Sequence, residues 1–83
     1  MISTKGRYAL RVMIELASRE NDELVSLKEV AQSQEISEKY LESIVKNLVK
    51  AGFVTGLRGK GGGYRLACPA AQCTVGDILR AAE

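Results

Sequence analysis

The stretch Arg58-Gly59-Lys60-Gly61-Gly62-Gly63-Tyr64-Arg65 concentrates three cations and four glycines in eight consecutive residues. The whole sequence has a formal net charge of +2, from 12 Lys+Arg against 10 Asp+Glu. Residues 1–50 contain eight cations and eight anions, whereas residues 51–67 contain three cations and no anion. The positive excess therefore lies in one glycine-rich segment, whose exposed backbone and charge suit a polyanion such as a nucleic-acid backbone.

Short apolar segments on both sides of these glycines predict a β-hairpin. Residues 53–57 form the first candidate strand, although Gly56 weakens it, and residues 64–66 form the second. The glycines between them suit a tight turn and allow the backbone to approach a surface closely. We expect Tyr64 to pack at the base of this hairpin, which is called the wing below.

A helix predicted at about residues 38–50 has the clearest period in the chain, with Ser37 as its N-cap and Gly52 as its stop. Its apolar residues recur at i, i+3, i+4, i+7 and i+8, so we expect them all on the inner face. They are Leu41, Ile44, Val45, Leu48 and Val49.

The opposite face of this helix carries lysines together with small polar residues. Its members are Lys39, Ser43, Lys46 and Lys50, with Glu42 and Asn47 on its flanks. Such side chains reach phosphates and base edges, although a merely solvated face has the same composition. Glu42 fits a hydrogen bond from a cytosine amino group or an i, i+4 ion pair with Lys46, and both interpretations stay open.

Three further helices complete the pattern. Residues 3–19 predict a helix capped by Ser3 or Thr4, with a polar stripe so narrow that most sides need cover from this domain or another subunit. Ser26 and Glu29 have capping-box spacing before a short helix that stops near Gln34. Thr74 caps a last helix with an acidic first turn.

The order of elements is helix, helix, helix, two-stranded hairpin, helix. Two short helices joined by a tight turn and followed by a cationic hairpin predict a winged helix-turn-helix, a mainly α fold with a small β-hairpin. Eighty-three residues make a single domain, so we assign residues 1–83 to it.

Composition argues against an enzyme, a metal site and a membrane protein. The sequence has no histidine and only two cysteines, and no pair of acidic residues lies within an apolar segment. Lys60 is followed by Gly61 instead of Ser or Thr, so the glycine-rich segment is not a phosphate-binding P-loop. No apolar run is long enough for a transmembrane helix or a signal peptide, which predicts a cytoplasmic protein.

Several motifs together resemble the Rrf-type winged-helix transcription regulators of bacteria, the family of IscR, NsrR and CymR. They cover nearly all of the sequence. The motifs are Ser3-Thr4-Lys5-Gly6-Arg7-Tyr8-Ala9-Leu10, Ser26-Leu27-Lys28-Glu29-Val30-Ala31, Ile36-Ser37-Glu38-Lys39-Tyr40-Leu41-Glu42, Arg58-Gly59-Lys60-Gly61-Gly62-Gly63-Tyr64-Arg65-Leu66 and Thr74-Val75-Gly76-Asp77-Ile78.

The resemblance implies a dimer that binds a partly palindromic operator and usually represses. It places the third helix in the major groove and a wing arginine, here Arg58, in the minor groove. It implies contacts from the start of the first helix through Ser3, Lys5 and Arg7. The expected DNA-binding residues are these three together with Ser37, Lys39, Tyr40, Glu42, Ser43, Lys46, Lys50, Arg58, Gly59, Lys60 and Gly61.

Two departures from the family pattern bear on these expectations. Glu35 stands where the family turn usually has glycine, so we expect a less tight turn. The family continues beyond the position of Glu83 into a long dimerisation helix and, in sensor members, a cysteine cluster for an iron–sulfur centre. Cys68 and Cys73 do not occupy those positions, so we expect no cofactor within this chain and a cluster only in a longer native protein.

The sequence therefore predicts a sequence-specific DNA-binding transcriptional regulator, a repressor without enzymatic activity. Lys39, Glu42 and Ser43 are the expected readers of base edges. The expected partners are double-stranded DNA and, in the full-length form, a second copy of the protein. The alternative is a winged-helix module that binds another protein, for which the apolar first helix offers a surface.

Overall fold

A computed structural model describes residues 2–19, 23–57, 61–67 and 74–82. Four helices and one antiparallel hairpin follow in the predicted order, which confirms the winged helix-turn-helix fold. They are α1 (Thr4–Ala17), α2 (Leu27–Gln34), α3 (Glu38–Lys50), β1 (Val54–Leu57), β2 (Gly63–Leu66) and α4 (Val75–Ala82).

Side-chain caps determine where each helix begins. The hydroxyl oxygens of Ser3, Ser26 and Ser37 each accept a hydrogen bond from the backbone N–H three residues later, at 3.0–3.1 Å. Thr74 does the same for α4. Each bond satisfies one of the free N–H groups of a helix start, so the predicted caps are confirmed. A carboxylate oxygen of Glu29 lies 3.6 Å from a guanidinium nitrogen of Arg19, just after the C-terminus of α1. Glu29 therefore does not reach back to the N-cap residue, as the predicted capping box would require.

Two helices end in the same hydrogen-bond pattern. After α3, Gly52 has φ 87°, and the N–H of Phe53 donates to the carbonyl of Leu48 at 3.0 Å. After α2, Glu35 has φ 53°, and the N–H of Ile36 donates to the carbonyl of Ala31 at 3.1 Å. Both are Schellman motifs, which need a left-handed residue. The expectation of a looser turn at Glu35 is wrong, because the glutamate adopts the conformation that a glycine would take.

The core is built where α1, α3 and α4 meet the hairpin. Leu41, Ile44 and Leu48 of α3 have no exposed surface, and Val12 of α1 and Val54 of β1 are nearly as buried. The three α3 residues belong to the inner face that the period of this helix predicted. Burial of apolar side chains of this size is the main source of stability in a domain this small.

Two large apolar side chains are exposed, and one of them, Val49, was predicted to be buried. Val49 was expected on the inner face of α3, but 39% of it is exposed beside the hairpin. Ile14 of α1 is 69% exposed, so the described residues leave one side of α1 uncovered. An apolar groove runs there between α1 and α4, and its walls include Leu10, Ile14 and Val75.

The hairpin pairs Val54 with Leu66 and Gly56 with Tyr64. A third segment joins it, since Val25 exchanges two backbone hydrogen bonds with Tyr64 at 2.8 and 2.9 Å. This bridge connects the residues before α2 to β2, and sequence analysis did not predict it. Tyr64 is half-buried and packs against the core, as expected. Within the described ranges, no helix is long and apolar enough to cross a membrane.

Candidate nucleic-acid interface

The solvent face of α3 carries the polar side chains that the sequence placed there. Its exposed members are Lys39, Glu42, Ser43, Lys46 and Lys50. The helix begins at this face with Ser37, whose side-chain oxygen accepts from the N–H of Tyr40 at 3.1 Å. The first turn of α3 therefore presents a capped, positively polarised end together with Lys39.

The lysines of α3 are not engaged in ion pairs within the part of the chain that the structure describes. The ion pairs there centre on Arg19, with three glutamates, and on Arg80, with Asp77. In particular, none joins Glu42 to Lys46. The ion-pair interpretation of Glu42 is therefore not realised, and both side chains are available to a ligand.

Two polar side chains near this face are partly engaged inside the protein. The hydroxyl of Ser43 donates to the carbonyl of Tyr40 at 2.8 Å, which leaves its oxygen as an acceptor. The side-chain amide of Asn47 donates to the carbonyl of Ala82 at 3.3 Å. Asn47 thus connects α3 to the end of α4 from its position on the flank of the lysine face.

An aromatic contact joins the start of α3 to α1. The half-buried ring of Tyr40 packs against the ring of Tyr8, and the guanidinium carbon of Arg11 lies 5.3 Å from the centre of the Tyr8 ring. Ser3, Lys5 and Arg7, the predicted contacts of the first helix, lie within the turn that precedes and includes Tyr8. The ring contact places Tyr8, which directly follows Arg7, beside the first turn of α3. The contact of Arg11 with Tyr8 was not predicted from the sequence, although the two residues have i, i+3 spacing.

The wing follows α3 directly and supplies the second group of predicted contacts. Arg58, Gly59 and Lys60 at its tip lie outside the described residues. Gly61 is described, is exposed and has φ 78°, which is a left-handed backbone conformation. Leu57 and Gly63, the ends of the two described strands on either side of this segment, are paired in the sheet.

These elements define a winged helix-turn-helix domain whose second motif helix presents lysines that form no ion pair with any acidic residue among those described. The sequence also matches the model of the Rrf2 family, described as iron-dependent transcriptional regulators, over residues 2–83. The chain belongs to this family.

Similar proteins carry names of transcription regulators. The regulator CymR of Bacillus subtilis is 49% identical over 82 residues, covering 99% of this chain and 59% of that protein. The regulator IscR of Cereibacter sphaeroides is 48% identical over 84 residues, covering 99% of this chain and 54% of that protein. The solved structure of CymR, the global cysteine regulator of B. subtilis, superposes with a TM-score of 0.93 at 48% identity, covering 100% of this chain and 64% of that one.

The chain thus spans little more than half the length of these curated relatives. Their names give no support to the alternative of a protein-interaction module, and the family is one of regulators, not of enzymes.

The iron in the family description does not fit the donor set of this sequence. An iron–sulfur cluster is commonly held by four cysteine thiolates, with histidine as a substitute in some centres. This chain has two cysteines and no histidine. Both cysteines, Cys68 and Cys73, lie outside the described residues. We therefore assign no chemistry to iron here.

Proposed function

We propose that this chain is the DNA-binding domain of a bacterial transcription regulator. The observation that carries the proposal is the face of α3, where Lys39, Lys46 and Lys50 are exposed and have no acidic partner among the described residues. Three cations without neutralising partners on one helix face create a positive potential that attracts phosphate. A helix that follows a tight turn is the element that such folds insert into the major groove.

The side chains divide into two groups by their position. Lys39, Glu42 and Ser43, on the first half of α3, read base edges in the major groove, because recognition helices read with their N-terminal residues. Ser37, Lys46 and Lys50 bind phosphates, as do Ser3, Lys5 and Arg7 at the start of α1. Tyr40 contributes through the part of its side chain that Tyr8 does not cover.

The wing contributes the second groove contact. Arg58 reads the minor groove, whose narrow A·T segments have an enhanced negative potential that attracts arginine. Lys60 binds a phosphate, and Gly59 and Gly61 let the backbone approach the duplex.

The complete regulator is a cytoplasmic homodimer that represses by occupying a partly palindromic operator. The support is family membership together with symmetry, since two identical helix-turn-helix domains bind half-sites one helical turn apart. The complete regulator contains an iron–sulfur centre only if cysteines outside these 83 residues bind it. The domain of residues 1–83 then supplies DNA recognition alone.

The test is the salt dependence of duplex binding, measured by fluorescence anisotropy on duplexes selected from a randomised library. We expect log K to fall linearly with log salt concentration, because phosphate contacts release counterions. Lys46→Ala lowers the slope by about one unit and weakens binding to all sequences alike. The matched control is Arg80→Ala, which removes a cation on α4 that Asp77 already neutralises and leaves the slope unchanged. A parent protein that binds no duplex at low salt contradicts the proposal.

A further inference from the structure

An open cleft separates the second half of α3 from the wing. It encloses about 370 Å³ and is lined by Leu27, Glu42, Lys46, Val49, Gly56 and Tyr64. All of its lining belongs to described residues, and the lining mixes apolar surface with one cation and one anion. Glu42 and Lys46 also belong to the lysine face of α3, whereas the other lining residues have no role in the proposed function.

The floor of the cleft depends on a glycine and a tyrosine that face each other across the hairpin. Gly56 pairs with Tyr64, and the Tyr64 ring lies against the bare backbone of Gly56. A Cβ atom at position 56 would lie 2.8 Å from Cε1 of that ring, so any side chain there would displace the ring. Gly56 therefore allows the tyrosine to lie flat on the strand and keep the cleft open.

One wall of the cleft is a row of side chains along α3. Glu42, Lys46 and Val49 follow at i, i+4 and i+7, so they share one side of the helix. The row passes from an anion through a cation to an apolar residue. Val49 remains partly exposed because its side chain faces the cleft instead of the core.

We infer that this cleft seats the sugar–phosphate strand that separates the major groove from the minor groove. The inference rests on the proposed function: with α3 in one groove and the wing in the next, the strand between the grooves has to pass between them. This cleft lies between these two elements, so it is a space through which that strand can pass. Its occupant is thus a single backbone strand of duplex DNA.

The lining matches the chemistry of that strand. The ammonium of Lys46 and the phenolic O–H of Tyr64 are donors suited to phosphate oxygens. Val49, Leu27 and the bare backbone of Gly56 offer apolar contact to deoxyribose. Glu42 repels phosphate, so the strand runs on the Lys46 side, and the carboxylate lies toward the base edges.

The experiment introduces a charge at position 49. Val49 is partly exposed, so its replacement leaves the packing of the buried core residues unchanged. Val49→Lys adds a phosphate contact and raises the salt slope of duplex binding by about one unit, whereas Val49→Glu lowers affinity. Val75, an exposed valine on α4, provides the matched control: Val75→Lys and Val75→Glu change duplex binding much less. Thermal unfolding confirms that each variant is folded.

A second measurement locates the contact. Duplexes that carry one neutral methylphosphonate at successive positions are titrated with the parent and with Val49→Lys. We expect the gain from Val49→Lys to disappear at one phosphate position, at the boundary between the two grooves. Tyr64→Phe, which keeps the ring and removes the hydroxyl, weakens binding to the normal duplex and loses its effect at the same or the adjacent position.

The outcomes separate this inference from the proposed function. A parent that binds no duplex at low salt overturns both. A parent that binds duplexes normally, while Val49 and Val75 variants behave alike, overturns the cleft and leaves the regulator intact. A gain from Val49→Lys that persists at every methylphosphonate position also overturns it, since the added charge then acts only through the overall potential.

Discussion

The ring of Tyr8 on α1 meets the ring of Tyr40 on α3 edge-on, with centroids 6.1 Å apart and ring planes at 87°. This geometry places the positive edge of one ring against the negative face of the other, which is a favourable arrangement for aromatic pairs. Tyr40 lies in the first turn of α3, directly after the Ser37 cap. The contact therefore holds the N-terminal end of α3 against the helix that carries the N-terminal cations.

We expect the two tyrosines to be energetically coupled. In a double-mutant cycle of Tyr8→Leu and Tyr40→Leu, the coupling in the free energy of unfolding should be about 0.5–1.5 kcal/mol. Urea denaturation of the four proteins measures it. Tyr64→Leu combined with Tyr8→Leu is the control pair and should be additive. Additivity of the Tyr8 and Tyr40 changes would show that the ring contact has no energetic role.

Glu42 should determine the preference at one base position. Its carboxylate has no ion pair with Lys46 in the described structure, so an acceptor remains for a base-edge donor such as the cytosine amino group. Glu42→Ala should relax discrimination at that position by about 1–3 kcal/mol, while Lys46→Ala weakens all sequences alike. Competition on a randomised duplex library distinguishes the two. Unchanged base preferences in Glu42→Ala would rule out the readout role.

Replacing Glu35 by glycine should stabilise the domain. A non-glycine residue in the left-handed region costs roughly 1–2 kcal/mol, and the greater freedom of glycine in the unfolded chain cancels part of the gain. We expect Glu35→Gly to raise the free energy of unfolding by up to about 1 kcal/mol. Glu35→Val should lower it, since a β-branched residue suits this conformation poorly.

The control for this prediction lies three residues earlier. Gln32 is exposed inside α2, where glycine should lose about 1 kcal/mol in the free energy of unfolding. Chemical denaturation of the three variants gives the order. If Glu35→Gly and Gln32→Gly were equally destabilising, the left-handed conformation would not explain the cost of Glu35.

Asp77 should make the stability of α4 dependent on acid pH. Hydrogen bonds from Thr74 and Arg80 hold the pKa of this carboxyl below its ordinary value, and the charge of Arg80 adds to the effect. Its contribution is therefore fully present above the unfolded pKa, about 3.9, and is lost as the pH falls through the lower folded pKa. The difference in Tm between the parent and Asp77→Asn should be constant near neutrality and should shrink below about pH 4. A difference independent of pH would contradict this assignment.

Much of the secondary structure was predictable from the sequence. The predicted ends of α2 and α3 match those observed, and α1 was predicted only slightly too long. Each strand differs by one residue from its prediction. The pairing of Val25 with Tyr64 was missed, because a single bridge between distant residues leaves no periodic signal in the two apolar residues before Ser26.

The candidate site was predictable in composition but not in arrangement. The lysine face of α3 follows from its period, so the exposed positions of Lys39, Lys46 and Lys50 are confirmed. The roles of these residues toward DNA, and those of Arg58 and Lys60, stay predictions. Val49 fits the apolar period equally well, and only the position of the wing beside α3 explains its exposure.

Local chemistry specified the helices and their caps, because these depend on residues three or four apart along one chain. Ser26 and Ser37 have that chemistry within their own segments, whatever the rest of the molecule does. Packing between distant segments decided the remainder. The Tyr8–Tyr40 contact, the exposure of Val49 and the cleft over Gly56 each depend on where another element lies, since a side chain's neighbours are determined only when the whole core has formed.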